Sequence, residues 1–180
     1  TNFLEEQRVQ DPFVLDTSWL CVGHVDEFMT FVPDDTAPRG FRFIMSNVDM
    51  AYDIIDNANQ SMSLDKYRTG HGFSDVGDIA NDSALRSLNM ELQEDYITPT
   101  LEIFIAEMDL TDEEIIEIPA LFEEVSGCYS TNAALIPGTA NLIVGNREGD
   151  GNRLFIHDPF FRSDENDLAS DIFISEFESL

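Results

Sequence analysis

Apolar and polar positions along the chain alternate between a period of two and a period near 3.6, and the switches between them predict the elements. Asn2 to Val9 reads as a helix. Pro12 to Leu20, partly alternating and rich in Phe, Val, Leu and Trp, predicts a strand. Phe28 to Val32 predicts a second short strand, ended by a turn at Pro33-Asp34-Asp35. Gly40 to Ser46 predicts a buried strand, followed by Asn47 as a cap. A helix then runs from Val48 to about Asn59, with Ala51, Ile54, Ile55 and Ala58 on one face.

Ser61 to Asp78 has three glycines and little periodicity, so it reads as a loop, with His71 as a surface residue. Helices are predicted at Ile79 to Leu92 and Pro99 to Met108, the second with Leu101, Phe104, Ile105 and Met108 as a core stripe. Thr111-x-x-Glu114 resembles a capping box, yet Ile115, Ile116, Ile118 and Pro119 suit a strand. Ala133 to Ile136 and Asn141 to Val144 predict a hairpin turned by Pro137-Gly138. A polar turn from Gly145 to Gly151, a strand at Leu154 to Ile156 and a helix at Leu168 to Leu180 follow. This strand and helix alternation predicts α/β layering. A chain that opens and closes inside helices is expected to be a fragment.

Composition narrows the function classes. Of 180 residues, 43% are hydrophobic and 11% aromatic, enough for one cored domain and against disorder. The net charge is −27, from 36 acids against 9 bases, and Lys66 is the sole lysine. Phosphates would be repelled, which argues against nucleic acid and favours cationic ligands. No apolar run is long enough for a membrane span. Two cysteines, Cys21 and Cys128, are too few for a disulfide framework, and both are expected to be buried inert thiols. Sparse cysteines and no leader point to the cytoplasm; a secretion signal upstream of Thr1 would overturn that.

The candidate chemistry sits in Trp19-Leu20-Cys21-Val22-Gly23-His24-Val25-Asp26-Glu27-Phe28, where a His and two carboxylates interrupt an apolar stretch. Buried ionisable groups are costly unless paired or used. Gly23 allows a bend just before His24. His24 and Asp26 are two residues apart, a spacing that shares a face only on extended or irregular backbone. Spacing alone favours a structural pair. A metal pair would need further ligands, and His71 and His157 lie far off in sequence. The acidic run Asp164-Glu165-Asn166-Asp167 lacks the ligand order and central glycine of an EF-hand and reads as a solvated helix start.

The run from Asp16 to Phe28 resembles the signature of the protein-arginine deiminases. The similarity continues through Phe31-Val32-Pro33, Gly40-Phe41-Arg42, Gly70-His71-Gly72, Ile115 to Phe122 and Asn141 to Gly145, in the family's order. The resemblance implies a partial α/β propeller (pentein fold), incomplete because the chain supplies part of a catalytic domain truncated at both ends. It implies calcium-dependent conversion of peptidyl-arginine to peptidyl-citrulline and ammonia, with arginine-containing proteins as substrates. His24 would then be the general acid and base, Asp26 would hold the guanidinium, and Val22 would support the substrate through its backbone.

The family's nucleophilic cysteine lies in a His-Cys-Gly-Thr-Asn motif that this chain lacks. That cysteine, a second guanidinium-binding Asp and the calcium ligands are expected outside it, so no metal ligand is assigned here and the chain alone is expected to be inactive. Two other readings stand beside this one: a pentein enzyme acting on free arginine, and a non-catalytic acidic binding module on the same scaffold.

Overall fold

The computed structural model describes residues 2–127, 132–136, 138–147 and 151–178. In chain order the elements are α1 (Asn2–Gln7), β1 (Met29–Pro33), β2 (Phe41–Asn47), α2 (Val48–Asn57), α3 (Asp65–His71), α4 (Val76–Ala80), α5 (Ser83–Leu92), α6 (Thr98–Met108), β3 (Ile115–Pro119), β4 (Phe122–Glu124), β5 (Asn132–Ala134), β6 (Ile143–Arg147), β7 (Gly151–Phe155) and α7 (Ile174–Glu178). Helices and small sheets are mixed, as α/β layering predicts. Among the described residues the sheets are β1-β2-β3, β4-β5 and β6-β7, and none of these closes on itself.

The central strand is β2. It pairs antiparallel with β1, Phe31 opposite Phe43, and parallel with β3, Phe43 opposite Ile115. Phe43, Ile44 and Met45 are all fully buried, so this strand is covered on both faces. A parallel partner cannot be reached by a tight turn, and the whole helical segment from α2 to α6 forms the connection from β2 to β3. Asn47 ends β2 and caps α2, its side chain accepting the Met50 N–H at 2.8 Å.

Several expectations need correction. Pro12 to Leu20 is not a strand: among the described residues it forms no strand ladder, and Leu20 makes an isolated bridge to Asn132. Phe13 and Leu15 still pack on the core, so the apolar signal was real but reported burial without pairing. The expected loop at Ser61 to Asp78 contains α3 and α4, with Asp75 capping the second through the Asp78 N–H. Asp82 caps α5, accepting from the N–H groups of Ala84 and Leu85, which starts that helix later than Ile79.

The gap between α5 and α6 is itself helical, a π turn at Gln93–Ile97. Pro99 has no N–H and its ring presses on the preceding turn, and a widened turn accommodates that within a continuous helix. Of the expected core stripe, Phe104 is buried and Leu101 and Met108 pack against the core, but Ile105 is 40% exposed.

Thr111-x-x-Glu114 does both things its sequence suggested. Glu114 accepts the Thr111 N–H at 3.0 Å around one 3-10 turn, and Ile115 then opens β3. Among the described residues the two strands expected to form a hairpin about Pro137-Gly138 do not pair with each other. β5 pairs with β4 and β6 pairs with β7, and Pro137 lies outside the described residues. The helix expected to run from Leu168 is a 3-10 turn at Leu168–Ser170 and the short α7. Asp171 interrupts it, its buried carboxylate accepting the N–H groups of Phe161 and Phe173 and pairing with Arg162 at 3.1 Å. Among the described residues no helix is long and apolar enough to cross a membrane.

Candidate active site

The segment from Trp19 to Phe28 is held at both ends and exposed between them. Trp19 is 4% exposed and Phe28 fully buried, and their rings meet edge to face at 5.2 Å. Trp19 also lies against Phe122 at 5.0 Å and stacks on Tyr96 at 5.7 Å. Burying aromatic rings contributes about 1.5–3 kcal/mol each, before the extra gain of edge-to-face geometry. Backbone bonds tie the same ends down: Cys21 N–H donates to Asn132 O at 2.7 Å, and Ser46 N–H donates to Phe28 O at 2.8 Å. Asn132 is buried and donates its amide to Trp19 O at 2.9 Å.

Between those anchors the chain turns outward. Gly23 has φ +71, a left-handed conformation that favours glycine, and a Cβ there would sit 3.4 Å from Thr17 Oγ1. The bend before His24 is therefore real, and its nearest neighbour is Thr17. His24 is extended at φ −88, ψ 129, and Val25–Glu27 forms one 3-10 turn that places Asp26 at its centre. The pair thus sits on irregular backbone. His24, Val25 and Asp26 are all exposed, and Val22 is 61% exposed.

Two features of this segment differ from what its sequence led one to expect. The first is Glu27, whose Oε1 accepts the His24 N–H at 3.3 Å while its own N–H donates to His24 O at 3.2 Å. Partial burial pushes its carboxyl above the ordinary value, against the pull of the His24 N–H and of the nearby imidazole; the charge on Asp26 adds to the rise. The His-x-x-Glu spacing was the available signal, since a side chain three residues on can close a capping box. Histidine is a rare opener of such a box, which hid it.

The second is Cys21, which is disulfide-bonded rather than an inert free thiol. Cys128, the one other cysteine of the chain, lies outside the described residues. A disulfide sulfur is no thiolate, so Cys21 in this state cannot serve as nucleophile.

The remaining histidines belong to other parts of the chain. His71, exposed as expected, ends α3 and pairs through Nδ1 with Glu123 at 2.6 Å. His157 is exposed beyond β7. Neither His24 nor Asp26 borders the hollow of about 590 Å³ beside Arg39 and Glu114, or that of about 370 Å³ beside Asp34 and Arg42. Among the described residues no three His, Cys, Asp or Glu side chains converge to hold a metal ion. No calcium ligand is therefore assigned among the described residues, and no step below runs through one.

What the turn offers is an imidazole and a carboxylate presented to solvent on a rigidly anchored base. An imidazole can carry a proton near neutral pH, and a carboxylate can accept the N–H groups of a planar cation. Comparison with known proteins gives that pairing a context. The protein-arginine deiminase family model matches residues 1–160. The chain is 30% identical over 154 residues to protein-arginine deiminase type-1 of Mus musculus, and 31% over 156 residues to type-4 of Rattus norvegicus. It is also 31% identical over 157 residues to type-4 of Homo sapiens. Each match covers 79% of this chain and 22% of the relative, so the chain spans under a quarter of the length of these curated relatives. With the family model matching most of its length, the chain belongs to the protein-arginine deiminase family.

Proposed function

We propose that the chain supplies the proton-carrying and guanidinium-holding half of a peptidyl-arginine deiminase active site, as part of a larger catalytic domain built as an α/β propeller. The observation that carries this reading is the exposed His24 and Asp26 on one turn, anchored by Trp19 and Phe28 on either side. The net charge of −27 suits the approach of a cationic arginine side chain on a protein substrate.

The guanidinium carbon is resonance-stabilised and remains charged at neutral pH, so it needs a strong nucleophile and a fixed plane. Asp26 accepts hydrogen bonds from the guanidinium N–H groups and sets that plane, and the Val22 backbone steadies the substrate beside it. A cysteine thiolate from a segment that this sequence does not contain adds to the guanidinium carbon. His24 donates a proton to the departing nitrogen, which leaves as ammonia, and a thiouronium remains. His24 then takes a proton from water as it attacks the same carbon, the thiolate is expelled, and citrulline is released. Calcium dependence belongs to the proposal with its ligands likewise outside these residues.

The test uses the full-length protein carrying this sequence, assayed for citrulline with an arginine peptide and with free arginine, each with and without calcium. Citrulline from the peptide, dependent on calcium, is expected, and none from the 180-residue chain alone. Citrulline formed from free arginine only would replace the peptidyl substrate with the free amino acid. No citrulline from either would favour a binding module.

A further inference from the structure

We infer that Glu27 is a positioning residue for His24, an inference that rests on the proposed role of His24 as proton carrier. Two hydrogen bonds link these residues in opposite directions, Glu27 Oε1 accepting the His24 N–H at 3.3 Å and the Glu27 N–H donating to His24 O at 3.2 Å. The pair closes a ring around Val25 and Asp26. The backbone carrying the proton carrier and the guanidinium holder is therefore closed by one main-chain bond and by one bond to the Glu27 side chain, and only the second depends on the residue at position 27.

The turn needs that ring. A single 3-10 turn has little hydrogen bonding of its own, and here it follows a left-handed glycine. Val22, His24, Val25 and Asp26 make no apolar anchor, since all are exposed, whereas Glu27 is half-buried. Gly138 lies beside its main chain, where an added Cβ would meet Glu27 O at an ordinary contact distance of 3.6 Å. Keeping a carboxylate partly out of water is unfavourable, and the partner it gains is the His24 N–H. That is the arrangement expected of a side chain whose task is the placement of its neighbour.

Glutamine at this position can accept the same hydrogen bond, and alanine cannot. The experiment measures peptidyl-arginine turnover by the full-length protein with Glu27→Ala, Glu27→Gln and His24→Ala, together with amide exchange at His24. In E27A the expected kcat falls roughly 10- to 100-fold while KM changes less than threefold, as misplacement of a reacting group does. E27Q restores most of the rate, and the His24 amide exchanges faster in E27A than in the wild type or E27Q. Equal His24 exchange in wild type and E27A would overturn the inference whatever the activity. A wild-type kcat in E27A, or an E27Q as slow as E27A, would do the same. A wild-type rate in H24A would instead remove His24 from the mechanism and with it the catalytic role of Glu27, leaving the exchange result as a statement about the turn alone.

Discussion

Asn89 binds the backbone of Phe122 at both of its hydrogen-bonding groups of the same region, its Oδ1 accepting the Phe122 N–H at 2.8 Å and its Nδ2 donating to Phe122 O at 2.8 Å. Asn89 is fully buried on α5, so a helix side chain here does what a neighbouring strand would do for β4. Phe122 in turn supports Trp19, and Trp19 supports Phe28, so the candidate turn stands on this contact at one remove.

Asn89→Ala leaves the N–H and C=O of Phe122 without these partners in a dry place. A buried polar group left unsatisfied costs about 1–3 kcal/mol. The expected loss of stability is about 2–4 kcal/mol, read as a lower urea midpoint with an unchanged slope. A change below about 0.5 kcal/mol, the scale of ordinary surface substitutions, would show that water replaces the amide.

Acid should weaken the fold through Glu114. The Arg39 guanidinium binds its carboxylate at both oxygens, at 2.6 and 2.7 Å, and with the Thr111 N–H it holds the carboxyl down at about 2 from an ordinary 4.5. A carboxyl depressed in the folded state stabilises above its unfolded value, and that contribution disappears as pH falls from about 4.5 towards about 2. Asp34, held at about 2 by Thr36 and then by Arg42, acts in the same direction. Asp171 acts in the opposite direction, since burial raises its carboxyl. Urea midpoints measured between pH 6 and pH 2 should fall, and Glu114→Gln should flatten the fall. An E114Q curve parallel to the wild type would assign the acid sensitivity elsewhere.

Reduction should destabilise the chain. Removing a native disulfide from a small domain costs about 2–5 kcal/mol. Thermal unfolding with excess dithiol should therefore show a lower midpoint, and Cys21→Ser should match the reduced wild type with or without dithiol. Midpoints unaffected by dithiol, with the Cys21 thiol shown by alkylation to be free after treatment, would mean that the bond adds nothing to stability.

His24→Ala and Asp26→Asn should each remove turnover from the full-length protein while leaving its circular dichroism and melting midpoint unchanged, because both side chains are exposed. General acid and base catalysis contributes about 10²- to 10⁴-fold, and a loss of that size in kcat is expected for H24A. D26N should also raise KM, since the amide replaces one acceptor with a donor facing a cation. Wild-type kinetics in D26N would take Asp26 out of substrate binding.

Local chemistry was legible along the chain wherever one segment satisfies its own needs. The periodicity of Val48 to Asn57 and the cap at Asn47 mark α2, the all-apolar Phe43-Ile44-Met45 marks a strand covered on both faces, and Gly23 marks a bend. His24 and Asp26 stood out as charged groups within an apolar stretch, though the fold leaves both exposed so that no burial cost arises, and the motif around them led to the family. Partnerships between distant segments were decided only in three dimensions. Pro12 to Leu20 has a strand's composition but forms no ladder among the described residues, β5 pairs with β4 instead of turning back on β6, and Cys21 found a disulfide partner. Periodicity reports which face of a segment avoids water, but a ladder or a covalent bridge depends on what arrives at its edge, and that is set by how the whole chain packs.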